Sequence, residues 1–360
     1  MARFHSLSVK EITRETADCV SIVFDIPEAA KQEFTYIQGQ YLTLKLQVGG
    51  EELRRSYSLC SSPVADSELR IAVKKVEGGR ASTWLNNSLN TGDKVDVMTP
   101  MGNFWSAMDA ANEKHYVLFA GGSGITPMLS ILKTVLHSEP KSRITLFYGN
   151  RDEQSVIFKA QLDALTAQHG SRLSVFHVLE HPAPNTAALY TGMLTTEKVL
   201  ALIENHVGLN GNNEYFICGP GPMMENVKQV LTQLRVDTRL VHIEYFQAVA
   251  EAVQAAENKA AATSAAGTSK VTVILDGDEK QFDIAQNGAT ILDVAYDAGM
   301  DVPFACKGGV CCTCRAKVTE GEVRMDQNFA LTDDEVAKGY ILTCQAHPVS
   351  DTVVVNFDEF

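Results

Sequence analysis

Four of the eight cysteines fall within nine residues, Cys306-Lys-Gly-Gly-Val-Cys311-Cys312-Thr-Cys314, and a fifth, Cys344, follows thirty residues on. In a cytosolic chain, thiols at this density read as a metal or redox site rather than as disulfides. Cys306, Cys311, Cys314 and Cys344 have the spacing C-x4-C-x2-C…C, in which four thiolates hold a plant-type 2Fe–2S cluster. Three ligands come from one tight loop, and a distant strand supplies the fourth. Gly308 and Gly309 let backbone N–H groups approach the sulfurs, which stabilises the reduced cluster and tunes its potential. A structural zinc site would favour paired C-x2-C knuckles. Here one arm spans four residues and the fourth cysteine stands alone. Cys312 fits no ligand slot and reads as a spectator thiol.

Such a loop cannot be the whole chain. With 360 residues, two or three domains are expected. At 45 % apolar and 21 % charged, the chain is neither wholly disordered nor collagen-like. It has no apolar run near the roughly 20 residues that a membrane span needs. The N-terminus lacks the apolar core of a signal peptide, so a cytoplasmic protein is expected. A net charge of −13 argues against nucleic acid as a partner. Residues 271–360 hold 16 acidic and 6 basic side chains, a balance of −10, which marks a separate acidic module. That charge predicts a basic patch on a docking partner, or serves solubility alone.

The rhythm of the chain changes three times. Residues 1–110 are β-rich, with short runs at 7–12, 20–26, 41–47, 69–76 and 94–98 separated by glycine turns. Evenly spaced strands without long helices predict a closed antiparallel β-barrel. Residues 111–246 alternate apolar strands (115–120, 143–148, 173–179, 214–218, 239–246) with helical stretches (127–137, 223–234). That alternation predicts an α/β doubly wound parallel sheet. Residues 247–270 are rich in Ala, Gly, Ser and Thr and read as a linker. Residues 271–360 open with a hairpin (271–275 and 281–284), continue with a helix at 291–298 and end with a strand at 352–356.

Two regions carry the marks of phosphate binding. Arg54-Arg55-Ser56-Tyr57-Ser58 follows a predicted strand. Arg55 offers a planar fork to a pyrophosphate, Tyr57 a flat face to an aromatic ring, and Ser58 a hydroxyl to a ring nitrogen. Downstream, Gly79-Arg80-Ala81-Ser82 reads as a turn with free N–H groups. In the α/β region, Gly121-Gly122-Ser123-Gly124-Ile125-Thr126-Pro127 joins a strand to a helix N-terminus, the setting for pyrophosphate binding. It lacks the full G-x-G-x-x-G spacing and equally suits a tight turn. A second motif, Cys218-Gly219-Pro220-Gly221-Pro222-Met223, ends another strand of the same sheet. Cys218 there reads as a small polarisable contact or a buried strand-end thiol, and Met223 as partly core.

Arg55-x-Tyr57-Ser58, Gly79-x-x-Ser82, Gly122-x-Gly124-x-x-Pro127 and Cys218-Gly219-Pro220 occur in the order that resembles the ferredoxin–NADP⁺ reductase superfamily. A plant-type ferredoxin domain of β-grasp fold follows them. The resemblance covers nearly the whole chain and extends to reductases that serve diiron monooxygenases. It implies FAD on residues 1–110, a nicotinamide nucleotide on 111–246 and the cluster on 271–360. For FAD it implies Tyr41, Arg55, Ser56, Tyr57, Ser58, Val73, Lys74, Gly79, Arg80, Ala81, Ser82, Thr126 and Phe246. For the nucleotide it implies Gly122, Ser123, Gly124, Ile125, Thr126, Pro127, Arg151, Cys218, Gly219, Pro220 and Met223. Ser58, Cys218 and Glu244 would flank the hydride path.

The implied route runs from NAD(P)H to FAD, to the cluster, to an oxygenase component. Strand 143–148 leads into Gly149-Asn150-Arg151, where an Arg accepts a 2′-phosphate and a carboxylate would favour NAD. Arg151 favours NADPH, although Asp152 and Glu153 follow at once. Two alternatives stand beside this reading. The acceptor could be a steroid or ring hydroxylase or a hybrid-cluster protein. Or the chain could be a ferredoxin-type carrier whose reductase module is inactive.

Overall fold

Alternating apolar residues in the first hundred positions build a six-stranded antiparallel sheet. Its strands are β1 (Phe4–Thr16), β2 (Cys19–Asp25), β3 (Tyr41–Val48), β4 (Glu51–Ser58), β5 (Leu69–Lys74) and β6 (Lys94–Met98), in the order β4-β3-β6-β1-β2-β5. Leu42, Leu44 and Leu46 alternate inward on β3 and pack with Leu7, Ile22 and Ile71. This is a computed structural model, which describes residues 4–208, 212–246 and 267–359. The rolled sheet is a half-barrel. Its edge strands meet at the single bridge Leu59–Ile71, where the Cys60 amide also donates to the Arg70 carbonyl at 2.9 Å. The stretch read as a Gly–Ser turn is a helix, α1 (Arg80–Asn87), which buries Ala81 and Leu85 against the barrel core.

The second sheet is parallel throughout: β7 (His115–Gly121), β8 (Arg143–Asn150), β9 (Leu173–Leu179), β10 (Asn213–Cys218) and β11 (Val241–Glu244). The strand order is β11-β10-β7-β8-β9. Every residue of β7 and β10 is buried, as expected where helices cover both faces. The covering helices include α2 (Ile125–Ser138), α3 (Lys159–His169), α4 (Thr196–His206) and α5 (Gly221–Gln233). The chain order reverses between β7 and β10. The switch point therefore lies between the two loops that the sequence singled out.

The third sheet is mixed, with order β13-β12-β18-β14-β16. It pairs β12 (Thr268–Leu275) with β13 (Asp278–Ala285) antiparallel and with β18 (Thr352–Asn356) parallel. β14 (Arg315–Glu320) joins β18 to β16 (Tyr340–Leu342). A small ribbon of β15 (Val323–Met325) and β17 (Ala346–Pro348) lies apart. Helix α6 (Ile291–Asp297) packs Ile291, Leu292 and Ala295 into the core, and α7 (Asp333–Ala337) follows a Thr332–Glu335 capping box. Most of the expected linker, residues 247–266, lies outside the described residues, and its final residues already belong to β12. Among the described residues, no helix is long and apolar enough to cross a membrane.

Candidate functional site

The cysteine loop brings its four expected ligands together. Cys311 Sγ lies 3.1 Å from Cys306 Sγ. Cys344 interacts with the sulfurs of both Cys306 and Cys314. The loop turns through left-handed conformations at Lys307 (φ 52°) and Gly309 (φ 71°). A Cβ on Gly309 would also sit 3.1 Å from the Gln327 carbonyl, so only glycine fits there without strain. The turn aims the Gly308 amide at Cys306 Sγ at 3.3 Å. Interactions with Cys311 and Cys344, together with the Gly308 and Val310 amides, hold the Cys306 thiol far below its ordinary value. Sulfurs that converge in this way fit a 2Fe–2S cluster. Cys312 points elsewhere: its sulfur lies 3.3 Å from the Ala330 carbonyl and is buried.

Most of the residues expected at the flavin lie on β4 or α1. Arg55 is exposed, its side chain resting on the Arg54 carbonyl at 2.7 Å. Tyr57 pairs across the ladder with Leu42 and is half-buried. Gly79 is the N-cap of α1, so the Gly79-Arg80-Ala81-Ser82 stretch presents a helix N-terminus rather than a bare turn. Ser82 Oγ closes it by accepting the Val76 amide at 3.1 Å. An exposed guanidinium on β4 and the helix N-terminus of α1 each suit a phosphate. Arg80 itself is engaged by Glu51 at 2.6 Å and by the Val48 carbonyl at 2.9 Å. Val73 is fully buried in the barrel core, and its carbonyl accepts from the Asn86 side-chain amide at 3.0 Å. Lys74 lies 3.8 Å from Asp18.

The two nucleotide loops pack backbone against backbone. A Cβ on Gly124 would lie 2.1 Å from the Cys218 carbonyl. This glycine is therefore required by the close approach of the loops as much as by any ligand. Ile125, Thr126 and Pro127 are buried in the first turn of α2, and Thr126 Oγ1 donates back to the Ser123 carbonyl at 2.9 Å. Gly122, Ser123, Gly219 and Pro220 remain accessible, while Met223 packs into the apolar core beneath β10. Arg151 is largely exposed and lies 3.8 Å from Asp18. Asp152 caps the following turn, its Oδ1 accepting the Ser155 amide at 2.9 Å.

Three residues far apart in sequence meet where the first two sheets abut. Ser58 Oγ donates to Glu244 Oε2 at 3.0 Å. Glu244 is the register partner of Cys218 across the parallel β10–β11 pair. Burial pushes the Glu244 carboxyl up to about 8, against the opposing bond from Ser58. Burial, and then the nearby Glu244 charge, pushes the Cys218 thiol well above its ordinary value. Burial thus disfavours a charge on either group. Phe246, two residues beyond Glu244, is 41 % exposed.

Residues 6–105 match the oxidoreductase FAD-binding domain family, residues 118–229 the oxidoreductase NAD-binding domain family, and residues 273–349 the 2Fe-2S iron-sulfur cluster binding domain family. Across 358 residues the chain is 38 % identical to a component of the 1,2-phenylacetyl-CoA epoxidase of Escherichia coli (strain K12), covering 99 % of each chain. It belongs to the iron–sulfur flavoprotein reductases. A second relative of this reductase is the ferredoxin reductase component of 3-ketosteroid-9-alpha-monooxygenase from Rhodococcus rhodochrous, 35 % identical over 98 % of this chain and 96 % of that one. Among solved structures it is similar to phthalate dioxygenase reductase, with a TM-score of 0.58 and 25 % identity over 98 % of both chains. The reductase is thus an oxidoreductase that binds FAD, a nicotinamide nucleotide and a 2Fe–2S cluster.

Sequence reasoning missed how the reductase seats its third domain on its first. The β3–β4 register pairs Tyr41 with Ser58, Thr43 with Ser56 and Lys45 with Arg54, so these six share one face. The ferredoxin domain docks on it. The Tyr41 hydroxyl accepts the Cys312 amide at 2.9 Å, and Thr43 Oγ1 lies 3.2 Å from Thr313 Oγ1 and 3.0 Å from Ser56 Oγ. Tyr41 packs with Ala305 and Cys311, so the residue expected at the flavin touches the cluster loop. Asn103 donates to Glu335 at 2.7 Å on the rim of the same interface. The one signal for this in the sequence was the strand alternation, which sends Arg54 and Arg55 to opposite faces.

Proposed function

We propose that this reductase passes electrons from NADPH, through FAD and its 2Fe–2S cluster, to the diiron oxygenase component of a phenylacetyl-CoA 1,2-epoxidase in phenylacetate degradation in the cytoplasm. The observation that carries this reading is the convergence at one junction of the Ser58–Glu244–Cys218 group and the cluster loop. The full-length similarity to an epoxidase component supports the acceptor. Bound FAD supplies the conversion of a two-electron hydride into single electrons, which a one-electron cluster requires.

The chain's own residues do the positioning. Arg55 and the α1 N-terminus anchor the pyrophosphate, and Tyr57 offers the ring a face. Ser58 holds Glu244, and the uncharged Glu244–Cys218 pair lets two neutral rings approach. The accessible loops Gly122-Ser123 and Gly219-Pro220 flank the switch point, where a dinucleotide would lie. Arg151 at the end of β8, with Asp152 committed to its turn, supports NADPH over NADH.

The test is anaerobic titration with NADPH and then NADH, followed by visible absorbance and EPR. Flavin bleaching with a rhombic reduced-cluster signal is expected. Oxidation of the reduced protein by the purified oxygenase component of the epoxidase would then identify the acceptor. A steroid oxygenase that accepts electrons while the epoxidase does not would favour the second reading, to which the ketosteroid relative points.

A further inference from the structure

We propose that Arg54 is a positioning residue that latches the ferredoxin domain onto the flavin domain, and so governs how fast electrons pass from the flavin to the cluster. The inference rests on the internal electron route above. Arg54 lies on the sheet face turned away from Leu42, Leu44 and Leu46, yet it is only 4 % exposed because the ferredoxin domain covers it. Its Nη2 donates to Asp301 Oδ1 at 2.7 Å and its Nη1 to the Val302 carbonyl at 3.3 Å. Its guanidinium lies over the Phe304 ring, 4.4 Å from the centroid. On its own domain it holds Glu52 at 2.8 Å and lies over Phe4 at 5.3 Å.

One cation therefore reads three features of residues 301–304: a carboxylate, a carbonyl and an aromatic face. That segment is the arm leading into ligand Cys306. The neighbouring rungs of the interface, Tyr41–Cys312 and Thr43–Thr313, are neutral hydrogen bonds. They hold only if the loop already sits in register. The charge-assisted, forked contact of Arg54 is the strongest of the set and fixes that register. Its strand neighbour Arg55 belongs to the flavin side, so consecutive residues of β4 serve the two redox centres. Electron transfer falls steeply with separation, so loosening this arm should slow the internal step and leave the hydride step alone.

Asp301 provides the cleaner substitution, because its side chain is 70 % exposed and it lies outside both redox sites. The Asp301→Lys protein, fully loaded with cofactors, is compared with the natural one by anaerobic stopped flow with NADPH. Flavin bleaching is expected at the natural rate, and cluster reduction is expected to slow by about tenfold or more. Small-angle scattering should show a larger radius of gyration for Asp301→Lys. Linking the domains through Asn103→Cys and Glu335→Cys with a short bismaleimide should restore fast cluster reduction. Arg54→Lys should retain part of the rate, and Arg54→Met should match Asp301→Lys. Cluster reduction at the natural rate in Asp301→Lys, or an unchanged radius, would overturn the proposal. Failure of the natural protein's flavin to bleach would instead overturn the proposed function.

Discussion

The cysteine loop and the Ser58–Cys218–Glu244 group lie at the same junction but are built in opposite ways. The loop takes three of its ligands from nine consecutive residues and folds them inward with two left-handed backbone conformations. Its chemistry is almost complete before tertiary structure forms, and only Cys344 must arrive from elsewhere. The other group draws one residue from each of three strands in two domains, and its one direct hydrogen bond joins residues 186 positions apart. The motifs name Ser58 and Cys218 separately, but no segment shows that Ser58 bonds Glu244. A metal centre needs several like ligands at fixed range, and the backbone of a short loop can set that range. A hydride path needs two flat rings to meet, which a seam between domains provides.

The sharpest way to separate the two is to remove the cluster. Cys314→Ser should abolish the reduced-cluster EPR signal while NADPH still bleaches the flavin. Loss of both would mean that the loop is not an independent unit. At the seam, Glu244→Gln keeps an acceptor for Ser58 but removes the titrating group. Flavin reduction by NADPH should stay near the natural rate at pH 7, where the raised carboxyl is mostly protonated, and should exceed it at pH 9. Its pH dependence near 8, where the natural carboxyl ionises, should flatten. The same group bears on stability. A carboxyl raised to about 8 contributes stability that is present below its ordinary 4.5 and is lost as pH rises through about 8. Glu244→Gln should therefore melt closer to the natural protein at pH 6 than at pH 9, where it should be the more stable of the two.

Gly124→Ala tests the close approach of the nucleotide loops. Forcing a Cβ against the Cys218 carbonyl should cost about 1–3 kcal/mol of stability, read as a lower Tm, and should also weaken nucleotide binding. The smallest effect is expected far from either centre. Buried His115 is pushed down to about 4 by desolvation and by the Arg143 charge. Stability should fall as pH drops from 6.5 toward 4, because the unfolded chain binds the proton first. His115→Gln should blunt that fall without altering flavin or cluster spectra.

How far the sequence could be read follows the same division. The cysteine spacing, the change of strand rhythm near residue 110 and the Gly-rich loop ahead of α2 were all legible, because each is local chemistry or local period. The Arg80–Asn87 helix was not, since eight residues give too short a window to reveal a helical period. Val73 and Ile125 carried motif positions, yet the fold buries both completely. The glycine at 124 looked like a ligand-binding glycine, whereas its tightest constraint is the Cys218 carbonyl across the sheet. Arg55 stood out and Arg54 carried no expected role, although strand alternation turns Arg54 to the face that the ferredoxin domain covers.

By itself, then, the sequence determined the cysteine spacing that the proposed cluster needs, the three kinds of sheet and the order of the nucleotide motifs. These depend on residue type, spacing and period along one stretch of chain. The tertiary structure alone decided which residues meet: Ser58 with Glu244, Tyr41 with the Cys312 amide, Arg54 with Asp301. Those contacts span 186, 271 and 247 positions. They depend on strand register and on the packing of separate cores, which local spacing does not encode.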